Sequence, residues 1–451
     1  MKYEELKQHQ YCSFDEMTIE ENTTELVVTY SFTIDKLDTF NTKWTFLKKD
    51  IPYFDKEDLK CKRMLFDLGM VELISYYKLT CAKEIIVHEA MSDSQKYFYQ
   101  KLIYNGLGEF MYKNDIHISQ DDLCYITSKD KEFKKISSKD ALYGILLPIG
   151  GGKDSITSLE ILKKSNLPIV PYMINGRGAT IKTCEVGQVP HYINVKRVLD
   201  KKILEYNKQG YLNGHIPLSS VVAFSALFVA SCAHLEMICL SNEDSANEST
   251  VLGMHVNHQY SKSYEFEKDF RAYVEEEYAC APSYFSLLRP FSEYQIGKYF
   301  SKCKEYHAIF RSCNLGSKED KWCNDCPKCL YVYILLSAFL TVSELNTIFH
   351  ENLLERQDLL ETFFELIGLR ETKPFECVGS VEEINFAIIQ AIASYHKTKD
   401  TLPLMYKEYT RHPIYEKYRT KENPYNSYFV TQHFIPKQLE DLVRKEMLDC
   451  D

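Results

Sequence analysis

ALYGILLPIGGGKDSITSLEILKKS, residues 141–165, decides how the rest of the chain is read. Its first half is a near-continuous apolar run, the pattern of a strand buried on both faces of a parallel sheet. Gly150, Gly151 and Gly152 follow, and Lys153, Asp154 and Ser155 then open a short amphipathic helix. At such a junction the backbone N–H groups and the positive helix end make an anion site. Glycine lets the backbone approach phosphate closely, and Ser155 is expected to cap the helix. Asp154 adds a magnesium ligand that an ordinary turn does not need. Two familiar loops fail on the letters. A Walker loop needs Ser or Thr directly after its Gly-Lys, and Asp154 stands there. A dinucleotide fingerprint needs a third glycine three residues after the second, where Ser155 stands.

Downstream the strand–helix alternation continues. PIVPYMIN (168–175), HYINVKRVL (191–199), EMICLSN (236–242) and YFSLLRPF (284–291) read as strands. Helical spacing falls at Ser220–Leu235 and Ser261–Glu277, and the chain after Cys329 is mostly helical. Such alternation predicts a doubly wound α/β domain with right-handed crossovers. Upstream, the first ~140 residues read as a smaller α+β unit. TELVVTYSFTI (24–34) alternates as a strand, TKWTFL (42–47) looks like its partner, and KEIIVHE (83–89) is a third. Cys61–Thr80 and Ser94–Asn114 have helical spacing. The charged stretch Ser128–Asp140 is the expected linker, so the domains are 1–138 and 139–451.

Cys323, Cys326 and Cys329 stand at three-residue spacing, with Cys313 ten positions earlier. Four thiolates satisfy tetrahedral zinc and leave no open position for catalysis, so a zinc there is structural; an iron–sulfur cluster is the rival. MKYEELKQHQ lacks the apolar core of a secretory signal, and a cytoplasmic location is expected. There, clustered thiols mean metal or chemistry more often than disulfides. No apolar run reaches the ~20 residues of a membrane span, the longest being broken by Ser225, Ser231 and Cys232. The net charge of −10 offers no global basic field for nucleic acid and favours a small-molecule or sugar-nucleotide partner.

Two polar strings follow the EMICL strand. Ser241–Glu248 (SNEDSANE) lies at a carboxyl strand end, where α/β sheets bind ligands. HVNHQYSKS (255–263) then leads to a helix start. His255 and His258 are candidate bases near neutral pH, and Lys262 can hold a phosphate or carboxylate.

The glycine loop resembles the PP-loop (Ser-Gly-Gly-x-Asp-Ser) of enzymes that split ATP into AMP and pyrophosphate to adenylate a substrate, with Gly150 in place of the first Ser. RSCN and WCNDCPKC resemble the zinc knuckle of 7-deazaguanine synthases, which carry the same loop. Together with SNEDSANE, HVNHQYSKSYEFE, ISYYKLT (74–80) and NGLGEFMYKN (105–114), these strings are similar to the UDP-N-acetylmuramoyl-L-alanyl-L-glutamate epimerases. That resemblance implies an adenine-nucleotide alpha-hydrolase-like (HUP/PP-loop) fold with a zinc knuckle, and ATP-dependent inversion of a terminal glutamate for peptidoglycan synthesis. It implies ATP and Mg2+ on Gly150, Gly151, Gly152, Lys153, Asp154 and Ser155, with Asn175 bordering the adenine. It further implies zinc on Cys313, Cys323, Cys326 and Cys329. Proton transfer and charge stabilisation would fall to His255, His258 and Lys262, and magnesium or substrate contact to Glu243, Asp244 and Glu248. The rivals are an amidating ligase of the deazaguanine-synthase kind and a non-catalytic nucleotide-binding protein.

Overall fold

The computed structural model describes residues 1–130, 135–136, 141–248, 257, 259–313 and 315–449. Of the expected linker, residues 131–134 and 137–140 lie outside the described residues, and Ser128 to Asp130 are the end of a strand instead.

Among the described residues ten strands share one sheet: β1 (Tyr11–Glu21), β2 (Glu25–Ile34), β3 (Asp38–Leu47), β4 (Glu84–Met91), β5 (Tyr125–Asp130), β6 (Ile145–Pro148), β7 (Ile169–Ile174), β8 (Ile193–Val198), β9 (Met237–Leu240) and β10 (Ser283–Ser286). Their spatial order is β10-β9-β6-β7-β8-β3-β2-β1-β4-β5. Neighbours run parallel except at β1–β2, β2–β3 and β3–β8.

The burial patterns follow from position. In β2 the residues Leu26, Val28, Tyr30, Phe32 and Ile34 face the core while their neighbours face outward, because successive side chains point to opposite faces. All four residues of β9 are buried, as a parallel strand covered on both sides requires. Between β6 and β10 helices intervene, among them Lys153–Leu162, Ala179–Val186, Leu218–Cys232 and Tyr264–Glu277. The run β8-β7-β6-β9-β10 grows one way from β6 and then resumes on its other side. A crevice opens at such a reversal, outside the carboxyl ends of β6 and β9.

The sheet continues across the expected boundary near residue 138, where Trp44 of β3 pairs with Arg197 of β8. Arg197 donates to both oxygens of the buried Glu72 carboxylate at 2.7 and 2.8 Å, and Trp44 Nε1 donates to it at 2.9 Å. Glu72 lies on the helix Leu59–Tyr77. The later helices, including Pro327–Ser337 and Val381–Thr398, pack with Lys153–Leu162 around a second apolar core. No helix among the described residues is long and apolar enough to cross a membrane.

Candidate active site

β6 ends at Pro148, and the glycines turn the chain into the helix that starts at Lys153. Gly151 has φ +78°, and a side chain there would strike Ala179 and the backbone of Thr180 at 2.9 Å. At Gly152, the helix N-cap, one would meet Ser312 Oγ at 2.7 Å; Gly150 faces open space. Ser155 does not cap the helix. Its hydroxyl donates back to the Gly152 carbonyl at 3.1 Å, and the cap position carries no side-chain acceptor. A helix start without a capping side chain is suited to an external anion.

Lys153 turns inward and is fully buried, ion-paired with Asp154 and with Glu293. Glu293 opens the helix Glu293–Phe300, whose start Ser292 and Gln295 cap reciprocally. Glu243, three residues past the end of β9, completes a carboxylate cluster: one oxygen from each of Asp154, Glu243 and Glu293 lies within 4.8 Å of the other two. Hard oxygen donors at this spacing are the donor set that magnesium takes. Burial works against the Lys153 ammonium, but Asp154 and Glu293 outweigh it and hold the group above the ordinary lysine range. Burial would raise Asp154, yet Lys153 and Lys328 keep it below its usual value. Glu293 is pushed up to about 7 by burial, opposed by Lys153 and reinforced by Asp154 and Glu243.

Two supports hold the walls. Arg289, fully buried, donates to the Glu243 carbonyl at 2.5 Å and to the Lys262 carbonyl, and it pairs with Glu267 at 3.2 Å. It therefore ties down both ends of the segment that carries the polar strings. Glu383, capping the helix Val381–Thr398, accepts the Glu293 N–H at 2.7 Å and the Ser380 N–H at 2.6 Å.

The expected residues are not all gathered here. Lys262 sits near the cluster, with its Nζ 3.1 Å from Cys377 Sγ. Burial opposes its charge, but Cys377 and Glu243 keep it above the ordinary range. Asp244 turns away and accepts from Tyr428 at 2.5 Å. The half-exposed Glu248 pairs with Lys373. Asn175, φ +53°, uses both ends of its amide on the Arg197 backbone, at 2.8 and 3.0 Å. His255 and His258 lie outside the described residues. Glu293, Glu383, Lys328 and Cys377 were not foreseen. A glutamate in a helix's first turn, or at the third position of a capping box, reads from sequence as a structural residue.

Cys313, Cys323, Cys326 and Cys329 converge as expected. Their Sγ atoms are 3.9 Å (Cys313–Cys326), 3.7 Å (Cys323–Cys329) and 3.5 Å (Cys326–Cys329) apart. Zinc at ~2.3 Å from each sulfur of a tetrahedron would set these edges near ~3.8 Å, so the cluster could hold that ion. Backbone N–H groups of Gly316 and Cys323 reach Cys313 Sγ at 3.0 and 3.4 Å. The neighbouring Cys326 and Cys329, with these donors, hold the Cys313 thiol well below its usual range. This segment also braces the glycine loop. The Arg311 N–H donates to the Gly151 carbonyl at 2.8 Å, and Asp320 accepts from Ala179 N–H at 2.9 Å.

Beside the described parts of the polar strings, at Asn247, Asn257 and Tyr260, is a cavity of about 620 Å³. Residues of the N-terminal unit, among them Tyr104, Asn105 and Tyr112, form one wall, and Asn247, Tyr260 and Tyr264 form another.

The fold and site thus define an α/β protein with a glycine loop opening a helix, a carboxylate–lysine cluster and a separate tetrathiol centre. The chain belongs to the family of UDP-N-acetyl-alpha-D-muramoyl-L-alanyl-L-glutamate epimerases, and is an enzyme of that family. Residues 3–287 match the MurL N-terminal domain and residues 308–417 the MurL C-terminal domain. Three similar proteins bear that epimerase name. The one from a Micromonospora species is 31% identical over 329 residues, 71% of this chain and 73% of its own length. That from Salinispora tropica is 29% identical over 398 residues, 85% of each chain. That from Xanthomonas oryzae pv. oryzae is 32% identical over 333 residues, 71% of this chain and 72% of its own. No solved structure matches the chain significantly.

Proposed function

We propose that this enzyme inverts the terminal L-glutamate of UDP-N-acetylmuramoyl-L-alanyl-L-glutamate through an acyl adenylate, releasing AMP and pyrophosphate. The substrate is taken from the names of its relatives. The observation that carries the mechanism is the meeting of a glycine-loop helix start with the Asp154–Glu243–Glu293 cluster at the sheet's reversal. Strand order β8-β7-β6-β9-β10, with the loop after the central β6, supports the HUP/PP-loop reading.

The chemistry requires activation. An existing carboxylate charge opposes removal of the α-proton, whereas a mixed anhydride can spread the new charge as an enolate. The glycine loop receives the triphosphate, and Asp154, Glu243 and Glu293 are the residues that would hold magnesium. Bound there, magnesium would offset triphosphate charge and orient the α-phosphate for attack. Lys153 keeps the cluster together, and Lys262 supplies positive charge where the acyl oxygen becomes anionic. The cavity beside the Tyr260–Lys262 turn has tyrosine faces and amides suited to the sugar and nucleoside parts of the substrate. A base removes the proton from one face and an acid returns one to the other; hydrolysis then frees the D-glutamyl product.

The test supplies ATP, magnesium and the muramoyl dipeptide nucleotide, and follows both nucleotide products and glutamate chirality. AMP, pyrophosphate and D-glutamate should appear together. ADP in place of AMP would overturn the adenylation step.

A further inference from the structure

Cys377 stands between two lysines at the edge of the carboxylate cluster. Lys262 Nζ lies 3.1 Å from its Sγ, and the buried Lys328 ammonium donates to its carbonyl oxygen. Ammonium groups drawn out of water, as the buried Lys328 and the half-buried Lys262 are, are costly unless anionic partners answer them. Asp154 and Glu243 act on Lys262 through space, but the sulfur is the atom it touches. A lysine at this distance favours the thiolate over the thiol.

The backbone just beyond is closely fitted. A side chain at Gly379 would stand 2.9 Å from the Glu383 carboxylate and 3.0 Å from the Tyr331 hydroxyl. That hydroxyl is fully buried and has no hydrogen-bond partner among the described residues. Glu293, Glu383, Asp154 and Glu243 all act on it. An unmet buried phenol facing the cluster points to a ligand that completes it.

Resting on the function proposed above, we infer that Cys377, as a thiolate paired with Lys262, is the base that takes the glutamate α-proton. The α C–H bond breaks, its electron pair enters the enolate of the acyl adenylate, and the proton forms the S–H bond of Cys377. A solvent-exchangeable acid on the opposite face returns one proton to carbon, and Cys377 then gives its own to water. No oxidant or reductant is needed. Among the described residues the nearby carboxylates are engaged: Asp154 and Glu293 with Lys153, and Glu243 in the same cluster. Lys262, held as ammonium, cannot accept a proton but can steady the thiolate and the enolate.

Cys377→Ser and Cys377→Ala, each run beside the wild type in D2O with ATP, magnesium and the muramoyl dipeptide nucleotide, test this. Both variants should lose 10²–10⁴-fold in α-deuterium incorporation and epimerisation while keeping substrate-driven ATP–pyrophosphate exchange within a few-fold. Deuterium incorporation at the wild-type rate overturns the assignment. Equal loss of pyrophosphate exchange also overturns it, making Cys377 a structural residue of its loop. Wild-type enzyme without ATP-dependent deuterium incorporation would instead sink the function proposed above. If neither variant folds, alkylation of wild-type Cys377 by iodoacetamide, mapped by mass spectrometry at pH 7, decides. It should outpace a free-cysteine peptide, and a rate no faster than the peptide's overturns the proposal.

Discussion

Lys153 and Glu293, 140 positions apart in the chain, form an ion pair whose side chains are 0% and 1% exposed. The contact joins the glycine-loop helix, which follows β6 in the chain, to the helix Glu293–Phe300, which follows β10. At pH 8, where Glu293 has lost its proton, its removal leaves Lys153 buried and charged with Asp154 as its remaining partner, which is expensive. Glu293→Leu should therefore cost about 3–5 kcal/mol in urea unfolding of the metal-free protein. Lys153→Met with Glu293→Leu together should recover most of that, since an apolar pair of similar size needs no desolvation. A double variant no more stable than Glu293→Leu alone would contradict the pair's isolation from water.

The tetrathiol centre predicts about one zinc per chain, held by Cys313, Cys323, Cys326 and Cys329. Cys329→Ser should lose the metal and loosen the segment that braces the glycine loop through Arg311 and Asp320. ATP affinity should weaken with it. Elemental analysis checks the first point and ATP titration the second. A brown chromophore with iron in place of zinc would overturn the metal assignment.

A pH dependence follows from Glu383 and Glu293. Burial, with Glu293 alongside, pushes Glu383 from 4.5 up to about 8, and burial takes Glu293 to about 7. An acid whose folded value is raised keeps its proton in the native chain where the unfolded chain has lost it. The stability it contributes is complete below about pH 4.5 and is lost as pH rises through 7 to 8. With metal removed, the unfolding free energy from urea titration should fall between pH 5.5 and 8.5 by an amount on the order of a few kcal/mol, and the midpoint with it. Glu383→Gln should flatten that slope, at a pH-independent cost of about 1 kcal/mol for one poorly met N–H. A midpoint equally steep in the variant would show that other groups carry the effect.

How much of this was legible in the sequence depended on whether the signal was local. The strands at 24–34, 168–175 and 236–242 were legible because alternation and apolar runs are properties of the segment itself. β1 was missed: only Cys12, Ser13 and Phe14 of its eleven residues are buried, so its letters do not alternate cleanly. The four cysteines were legible through spacing, and the structure brings them together. Asn175 fitted an adenine-border reading by its place after β7, yet its amide is taken up by the Arg197 backbone, a partner 22 residues on. Glu293 and Cys377 reach the cluster only through tertiary packing, and no motif around either announces it.

The glycine loop allows the last prediction, because its three glycines are not equivalent. Gly150 meets nothing within 4 Å, so a side chain there has room and the backbone is unstrained. Gly150→Ser should leave stability within about 0.5 kcal/mol of wild type, as a surface substitution does. It also adds the hydroxyl that the PP-loop pattern carries at this position, and the KM for ATP should stay level or fall. Gly151 differs in two ways. Its φ of +78° disfavours any L side chain, and a Cβ would stand 2.9 Å from Ala179 and from the Thr180 backbone. Backbone cannot rotate aside as a long side chain can. Gly151→Ala should therefore cost about 1–3 kcal/mol from the strained conformation, with the clash adding to it. It should also move the loop against the helix start and weaken ATP binding at least tenfold. Thermal melts and ATP titrations of the two variants, made side by side, give the comparison. Equal tolerance at both positions would show that Gly151 is not held against Ala179 and Thr180.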